Sequence, residues 1–169
     1  MTTLRQHAND TRAEVTTLSA WSSFLRAHAG LVNTLDRELA KERGLPLVWY
    51  EVLFHLDSAP DHKMRMQELA ESALLSFSGL TRLVDRMAEA GLVARAPCAQ
   101  DRRGSYTVIT SKGRDSLQSA MPVHLRGVSE HFAKHLTSDE LVVLERAMAK
   151  VIAATSSPQR GCCDESDEG

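Results

Sequence analysis

The chain has 169 residues, of which 43% are hydrophobic and 25% charged, and its formal net charge is −2. This length fits one domain with a packed core, and no apolar run reaches the ~20 residues that cross a membrane. The N-terminus lacks the basic-then-apolar pattern of a signal peptide, and the three cysteines form no C-x-x-C pair. We therefore expect a cytoplasmic protein with no membrane partner and no disulfide framework.

Periodic apolar residues predict two helices in the first third of the chain. Residues 1–12 are polar and are expected to be flexible. The long helix that follows has an apolar stripe at helical spacing, formed by Trp21, Phe24, Leu25, His28, Leu31, Val32, Leu35 and Leu39. Gly44 and Pro46 suit the end of this helix and the start of a second one, which stops before a Ser-Ala-Pro-Asp turn.

The middle of the chain predicts two short helices and a hairpin. Met64 and Arg65 suggest a very short strand, and residues 67–73 a first short helix. Ser76 is a candidate N-cap for the second helix, because its hydroxyl can accept a hydrogen bond from a free first-turn amide. Gly91 is expected to end that helix, and two strands at 92–96 and 105–109 then pair.

The second short helix has one apolar face and one polar face. At ~100° per residue, Leu83, Val84 and Met87 lie within ~60° of Leu80. The opposite face carries Ser78, Thr81, Arg82, Asp85 and Glu89. If this helix enters a DNA groove, Arg82 is best placed for a base edge, and Arg86, at the side, for phosphate. Ser76, Ser78 and Thr81 could contact phosphate or base, whereas the alternative is an ordinary amphipathic helix with a solvated face.

The predicted hairpin has a basic tip, with the sequence Asp101-Arg102-Arg103-Gly104. From residue 63 to 115 the chain carries nine Lys and Arg against six Asp and Glu, although the whole chain is acidic. A basic segment in an acidic chain fits a local phosphate-binding face. A solvated turn is the alternative interpretation of the same four residues.

The last third of the chain predicts two further helices. Thr110 starts a long helix, in which Pro122 is expected to cause a kink. Thr137 and Glu140 form a capping box that starts another helix. Its apolar stripe consists of Leu141, Leu144, Met148, Val151 and Ile152. The acidic tail at 156–169 is expected to be disordered.

From about Trp21 to Ala154, this order of elements resembles the MarR family of bacterial transcription regulators. The resemblance implies a mainly α fold with a small β-hairpin (α+β). A winged helix-turn-helix core at 62–109 would be flanked by N- and C-terminal dimerisation helices at 13–57 and 110–155. In that family the second basic residue of the wing, here Arg103, enters the minor groove, and the acidic residue, here Asp101, orients it.

The resemblance also implies a function. We expect a homodimeric repressor that binds a pseudopalindromic double-stranded DNA operator through two recognition helices ~34 Å apart. Small aromatic or anionic effectors often bind between the dimer helices and the winged helix in this family, and Trp21, His28 and Tyr50 could line such a cleft. The alternative is that these three residues belong to the core.

Other functional classes have less support in the sequence. No nucleotide-binding or nucleophile motif occurs, so we expect neither an enzyme nor a cofactor. A winged-helix module that binds only proteins and a monomeric helical bundle remain alternatives. His124, His131 and His135 invite a metal interpretation, but they lack the spacing of a structural site, so no metal is expected. Cys98 could be redox-active near Arg95 and Arg102 or could be inert.

Overall fold

The computed structural model describes residues 2–97 and 105–155. They form six α-helices and three strands, named here in chain order: α1 (Thr2–Arg43), α2 (Leu47–Ser58), β1 (Lys63–Arg65), α3 (Met66–Ser72), α4 (Phe77–Glu89), β2 (Val93–Pro97), β3 (Ser105–Ile109), α5 (Ser111–His131) and α6 (Ser138–Thr155). Single 3₁₀ turns at Pro60–His62 and Ala133–His135 complete these elements. Within those ranges, every helix is too short or too polar to cross a bilayer.

The three strands form one antiparallel sheet in the order β1-β3-β2. The β2–β3 hairpin pairs from Val93 opposite Ile109 to Pro97 opposite Ser105. With α3 and α4 packed beside this sheet, the predicted α+β class and winged helix-turn-helix core are confirmed. Pro122 lies inside α5, which continues without interruption from Ser111 to His131.

Several predicted boundaries differ from the structure, and two of them have a clear local cause. α1 begins at Thr2, whereas the long helix was expected to start after about residue 12, because no glycine or proline interrupts the helix there. β2 begins at Val93 rather than Leu92, because the Leu92 amide donates to the carbonyl of Met87 and closes α4. Gly91, with φ of 74°, takes the left-handed position of this closing turn.

The hydrophobic core joins the winged helix to α2, α5 and the end of α1. Its fully buried large side chains are Leu39, Leu53, Leu56, Leu69, Leu80, Met87 and Leu117. The Asp36 carboxylate accepts a 2.8 Å hydrogen bond from the Leu47 amide and so caps α2 from the neighbouring helix. In contrast, no residue of α6 is buried, although its predicted capping box at Thr137 and Glu140 is present.

The C-terminal end of α4 is joined to the start of α5 by polar contacts. The Thr110 hydroxyl donates to the Gly91 carbonyl at 2.8 Å and accepts from the Gly113 amide at 3.0 Å. Lys112 Nζ donates to the Ala90 carbonyl at 2.7 Å, which places a cation at the negative end of the α4 dipole. A Cβ on Gly113 would lie 2.1 Å from the Leu92 carbonyl oxygen, so this close approach requires glycine.

The turn between α3 and α4 contains a strained residue. Leu74 has φ of 54°, and the Leu75 amide donates to the Ala70 carbonyl across the turn. This is the helix-ending geometry in which glycine usually takes the left-handed position. The side chain of Leu74 is 92% exposed, so it offsets little of the backbone strain by packing.

Leu74→Gly should therefore stabilise the fold. Relief of the left-handed strain stabilises the folded chain, whereas the greater backbone entropy of glycine in the unfolded chain opposes this effect. The net result is an increase of about 0.5–1 kcal/mol in the free energy of unfolding. Urea denaturation at a fixed protein concentration measures it. Leu74→Ala is the matched control, since it removes the same exposed side chain and keeps the strain. Equal stability of the two variants would contradict the strain assignment.

Candidate nucleic-acid interface

α4 is fixed in the winged helix by its apolar face. Leu80, Leu83, Val84 and Met87 are all buried, as predicted. Ser76 is the N-cap, and its Oγ accepts from the Gly79 amide at 3.1 Å. The helix is thereby held from one side and from its first turn, which leaves its opposite face available for a partner.

The hydroxyl groups at the start of α4 differ in what they can still bind. The Ser76 oxygen acts as an acceptor toward Gly79, so its own proton can be donated to a phosphate oxygen. Thr81, which is half-buried, donates its proton to the Phe77 carbonyl at 2.9 Å. In this rotamer Thr81 can only accept, so it suits a base amino group better than a phosphate. Ser78 is exposed beside them.

Two arginines lie on the exposed side of α4. Arg86 Nε donates to the Arg82 carbonyl at 3.4 Å, which bends its guanidinium back along the helix. Among the described residues, no carboxylate lies within salt-bridge distance of Arg82. The Arg82 guanidinium can therefore offer both donors of its fork to a ligand.

An ion pair that the sequence analysis missed connects α4 with the wing. Arg95 on β2 donates to the Asp85 carboxylate at 2.8 Å. Both side chains are partly exposed, so the pair contributes little to stability. It nevertheless marks where the hairpin lies beside the exposed side of α4. Asp85 and Arg95 are ten positions apart in the sequence, and no periodic pattern links them.

The predicted wing tip, Asp101, Arg102 and Arg103, lies outside the described residues. Its role in binding therefore stays a prediction, as does the chemistry of Cys98. The strands on either side are paired as far as Pro97 and Ser105.

The three predicted effector residues do not line one pocket. Tyr50 is 5% exposed and lies against His124 of α5, with ring centroids 4.5 Å apart. Trp21 is 57% exposed and lies beside Phe24 on the same helix. His28 lies about two turns further along α1 and lines an open pocket that includes neither Trp21 nor Tyr50.

The pocket around His28 lies between α1, α2 and the turn that precedes α4. Its apolar wall includes Val32, Val48 and Leu74, and its polar groups include Asp36 and Glu51. Burial raises the pKa of Glu51, and the nearby His28 partly opposes this shift. The pocket thus combines an apolar wall with an acidic lining.

The histidines considered for a metal face separate partners. His131 Nε2 lies 2.7 Å from Glu38 Oε1 of α1, whereas His124 packs against Tyr50 with its ring tilted, and burial lowers the pKa of His124. In the part of the chain that the structure describes, no three His, Cys, Asp or Glu side chains are grouped as metal ligands. His135 lies in the 3₁₀ turn after α5.

The chain is similar to known proteins in both sequence and fold. The MarR family model matches residues 43–104. The HTH-type transcriptional repressor YetL of Bacillus subtilis is 30% identical over 87 residues, and this match spans about half of each chain, 52% in both cases.

Two solved structures from Streptomyces coelicolor are similar over most of their length. Sco3205, a MarR family transcriptional regulator in complex with DNA, has a TM-score of 0.79 and 30% identity over 86% of this chain and 92% of its own. AbsC, a MarR family transcriptional regulator, has a TM-score of 0.76 and 31% identity over 82% and 93%. Because sequence and fold agree across the winged helix and its flanking helices, this chain belongs to the MarR family of transcriptional regulators.

Proposed function

We propose that the protein is a homodimeric, sequence-specific DNA-binding repressor whose operator is pseudopalindromic and whose binding is released by a small-molecule effector. One observation carries the DNA-binding part. α4 has a buried face that fixes it in the winged helix and an exposed face on which Arg82, Ser78 and the capping Ser76 are all accessible. The hairpin lies beside that face, where Arg95 of β2 forms an ion pair with Asp85 of α4. This is the arrangement in which a helix enters the major groove and a wing follows the backbone.

Dimerisation is supported by apolar surface that a single chain leaves exposed. On α6 this surface includes Val142, Val143, Val151 and Ile152, and on α1 it includes Val15, Leu18, Trp21, Phe24 and Leu25. A large exposed apolar patch is unusual on a monomer and usually marks an interface, so these side chains are candidates for contact with a partner. A second copy of the chain is the simplest partner, because one two-fold axis covers both copies of the surface.

A two-fold dimer determines the form of the DNA site. Two α4 helices related by a two-fold axis would read two inverted half-sites about one helical turn apart, ~34 Å. Each α4 offers the same Arg82 fork, so equivalent base pairs in the two half-sites would be contacted in the same way.

Genomic selection tests the proposal. Fragments of the source genome that the purified dimer retains should share an inverted repeat, and footprinting should protect both halves. The logarithm of the binding constant should fall linearly with the logarithm of the salt concentration, because phosphate contacts release counterions from DNA. Retention of random fragments with equal affinity, or no binding at low salt, would favour the protein-interaction alternative.

The pocket around His28 supports an effector role. It is lined by α1, which carries the exposed apolar surface, and by Leu74, which lies two residues before the α4 N-cap. A ligand there would contact both α1 and the turn that precedes α4. Because Asp36 and Glu51 line the pocket, its charge favours an aromatic amine over the anionic aromatics that the family resemblance suggests.

An effector titration should distinguish these ligand classes. A panel of aromatic amines, phenolic acids and purine-like anions is titrated with and without operator, and tryptophan fluorescence is recorded. An effective ligand should release DNA and bind the DNA-bound protein more weakly by the same factor, since linkage is reciprocal. His28→Ala should abolish the response, and Trp21→Phe separates the Trp21 signal from that of Trp49. Equal release in a Trp21→Ala/His28→Ala double variant would place the effector site elsewhere.

A further inference from the structure

Phe77, the first residue of α4, is exposed at the proposed DNA surface. Its side chain is 58% exposed, and its ring stacks on no other ring in the described ranges. Ser76 and Ser78 flank it in sequence, and Thr81 follows one turn later on the same side of the helix. Phe77 is thus continuous with the hydroxyl groups that we assign to DNA.

The position of Phe77 is unusual for an apolar side chain. The first turn of a helix presents free amide groups, and polar or small residues are common there. A large exposed ring stabilises neither the cap nor the core. At ~100° per residue it lies ~60° from Leu80, at the border of the buried face, and its exposure in the first turn leaves it accessible beside the polar face.

The apolar feature of a DNA major groove is the C5-methyl group of thymine, and aromatic side chains contact it. Resting on the proposed DNA-binding function, we propose that Phe77 is a specificity-determining residue that contacts a thymine C5-methyl in each half-site. Arg82 and Phe77 then read different features of the half-site, a hydrogen-bonding base edge and a methyl group. The ring lies on the side of Thr81, whose free acceptor is available for a base amino group.

Replacing single thymines with deoxyuridine tests this contact, because deoxyuridine lacks only the methyl group. The probe is the shortest duplex that the wild-type protein retains from its source genome. Each thymine of the half-site is replaced in turn, symmetrically in both halves. At one position the wild-type protein should lose about fourfold in affinity per half-site, the effect of one buried methyl, and so about sixteenfold in total.

Phe77→Ala completes a double-mutant cycle with that substitution. The variant should bind the thymine duplex more weakly and should no longer distinguish thymine from deoxyuridine at that position. Because phenylalanine is uncharged, the slope of affinity against log salt should stay at the wild-type value. Leu125→Ala is the matched control, since it removes another large exposed apolar side chain, on α5 and not on α4, and should keep full sensitivity to the methyl group.

The outcomes separate this inference from the proposed function. If the wild-type protein selects an operator but no deoxyuridine position weakens it, or if Phe77→Ala keeps the same sensitivity, the Phe77 assignment is wrong and DNA binding stands. If the wild-type protein selects no operator, the proposed function itself fails. Sedimentation of Phe77→Ala is run alongside, and a monomeric variant would overturn the assignment by placing Phe77 in the dimer interface.

Discussion

Deletion of residues 137–169 should convert the protein to a monomer and lower its affinity for operator about 10²–10⁴-fold, the loss expected when two linked half-site contacts become independent. The deletion removes α6, in which no residue is buried within its own chain. The core of the single chain should therefore stay folded, whereas the dimer loses a large share of its apolar interface. Light scattering reports the oligomeric state, and circular dichroism reports the remaining helix content.

The control for this deletion is removal of residues 156–169 alone. That variant loses the acidic tail and keeps α6, so dimerisation and operator affinity should match the full chain at high salt. A monodisperse dimer that binds operator after deletion of 137–169 would show that α6 is not part of the interface.

Arg82→Ala should weaken operator binding by about 1–3 kcal/mol per half-site and relax the preference at one base pair in each half. The guanidinium has no carboxylate partner among the described residues, so its removal leaves no buried charge, and the effect should appear in DNA binding rather than in stability. Arg82→Lys keeps the charge but loses the planar fork, so it should recover part of the affinity and little of the preference.

Arg86→Ala is the matched comparison on the same helix. Its guanidinium is bent back toward the Arg82 carbonyl, which suits a phosphate better than a base. The variant should lose affinity equally for all sequences and reduce the salt slope by about one. Arg103→Ala at the predicted wing tip should likewise weaken binding broadly. A uniform loss for Arg82→Ala, with unchanged preference, would contradict the base-reading role.

The parts of the fold that the sequence predicted are those governed by local rules. The Ser76 cap, the Thr137 capping box and the buried side of α4 each depend on residues within one or two helical turns of each other. The predicted surface of α4 follows from the same periodicity, since its exposed side is the one opposite Leu80.

The contacts that sequence reasoning missed join residues distant along the chain or on separate elements. Asp36 caps α2 from α1, and Arg95 holds Asp85 from the neighbouring hairpin. Periodicity assigns a residue to the apolar or polar side of its own helix, but it does not predict which residue of another element it contacts. For this reason Tyr50 was grouped with His28, although its ring faces α5 while the adjacent Glu51 lines the His28 pocket.

The polar contacts of Thr110 and Lys112 hold α4 at its C-terminal end, so a tilt of this helix about that end displaces its N-terminal residues most. The thirteen residues of α4 span about 20 Å at the α-helical rise per residue, so a tilt of about 10° displaces the Ser76 end by about 3 Å. Leu74 and the pocket around His28 lie at the N-terminal end of α4, the end farthest from these contacts. A molecule bound at the Leu74 turn that tilted α4 would displace Arg82 from its base pair, and the energetic cost of that tilt would fall on the packing of Leu80 and Leu83 in the core.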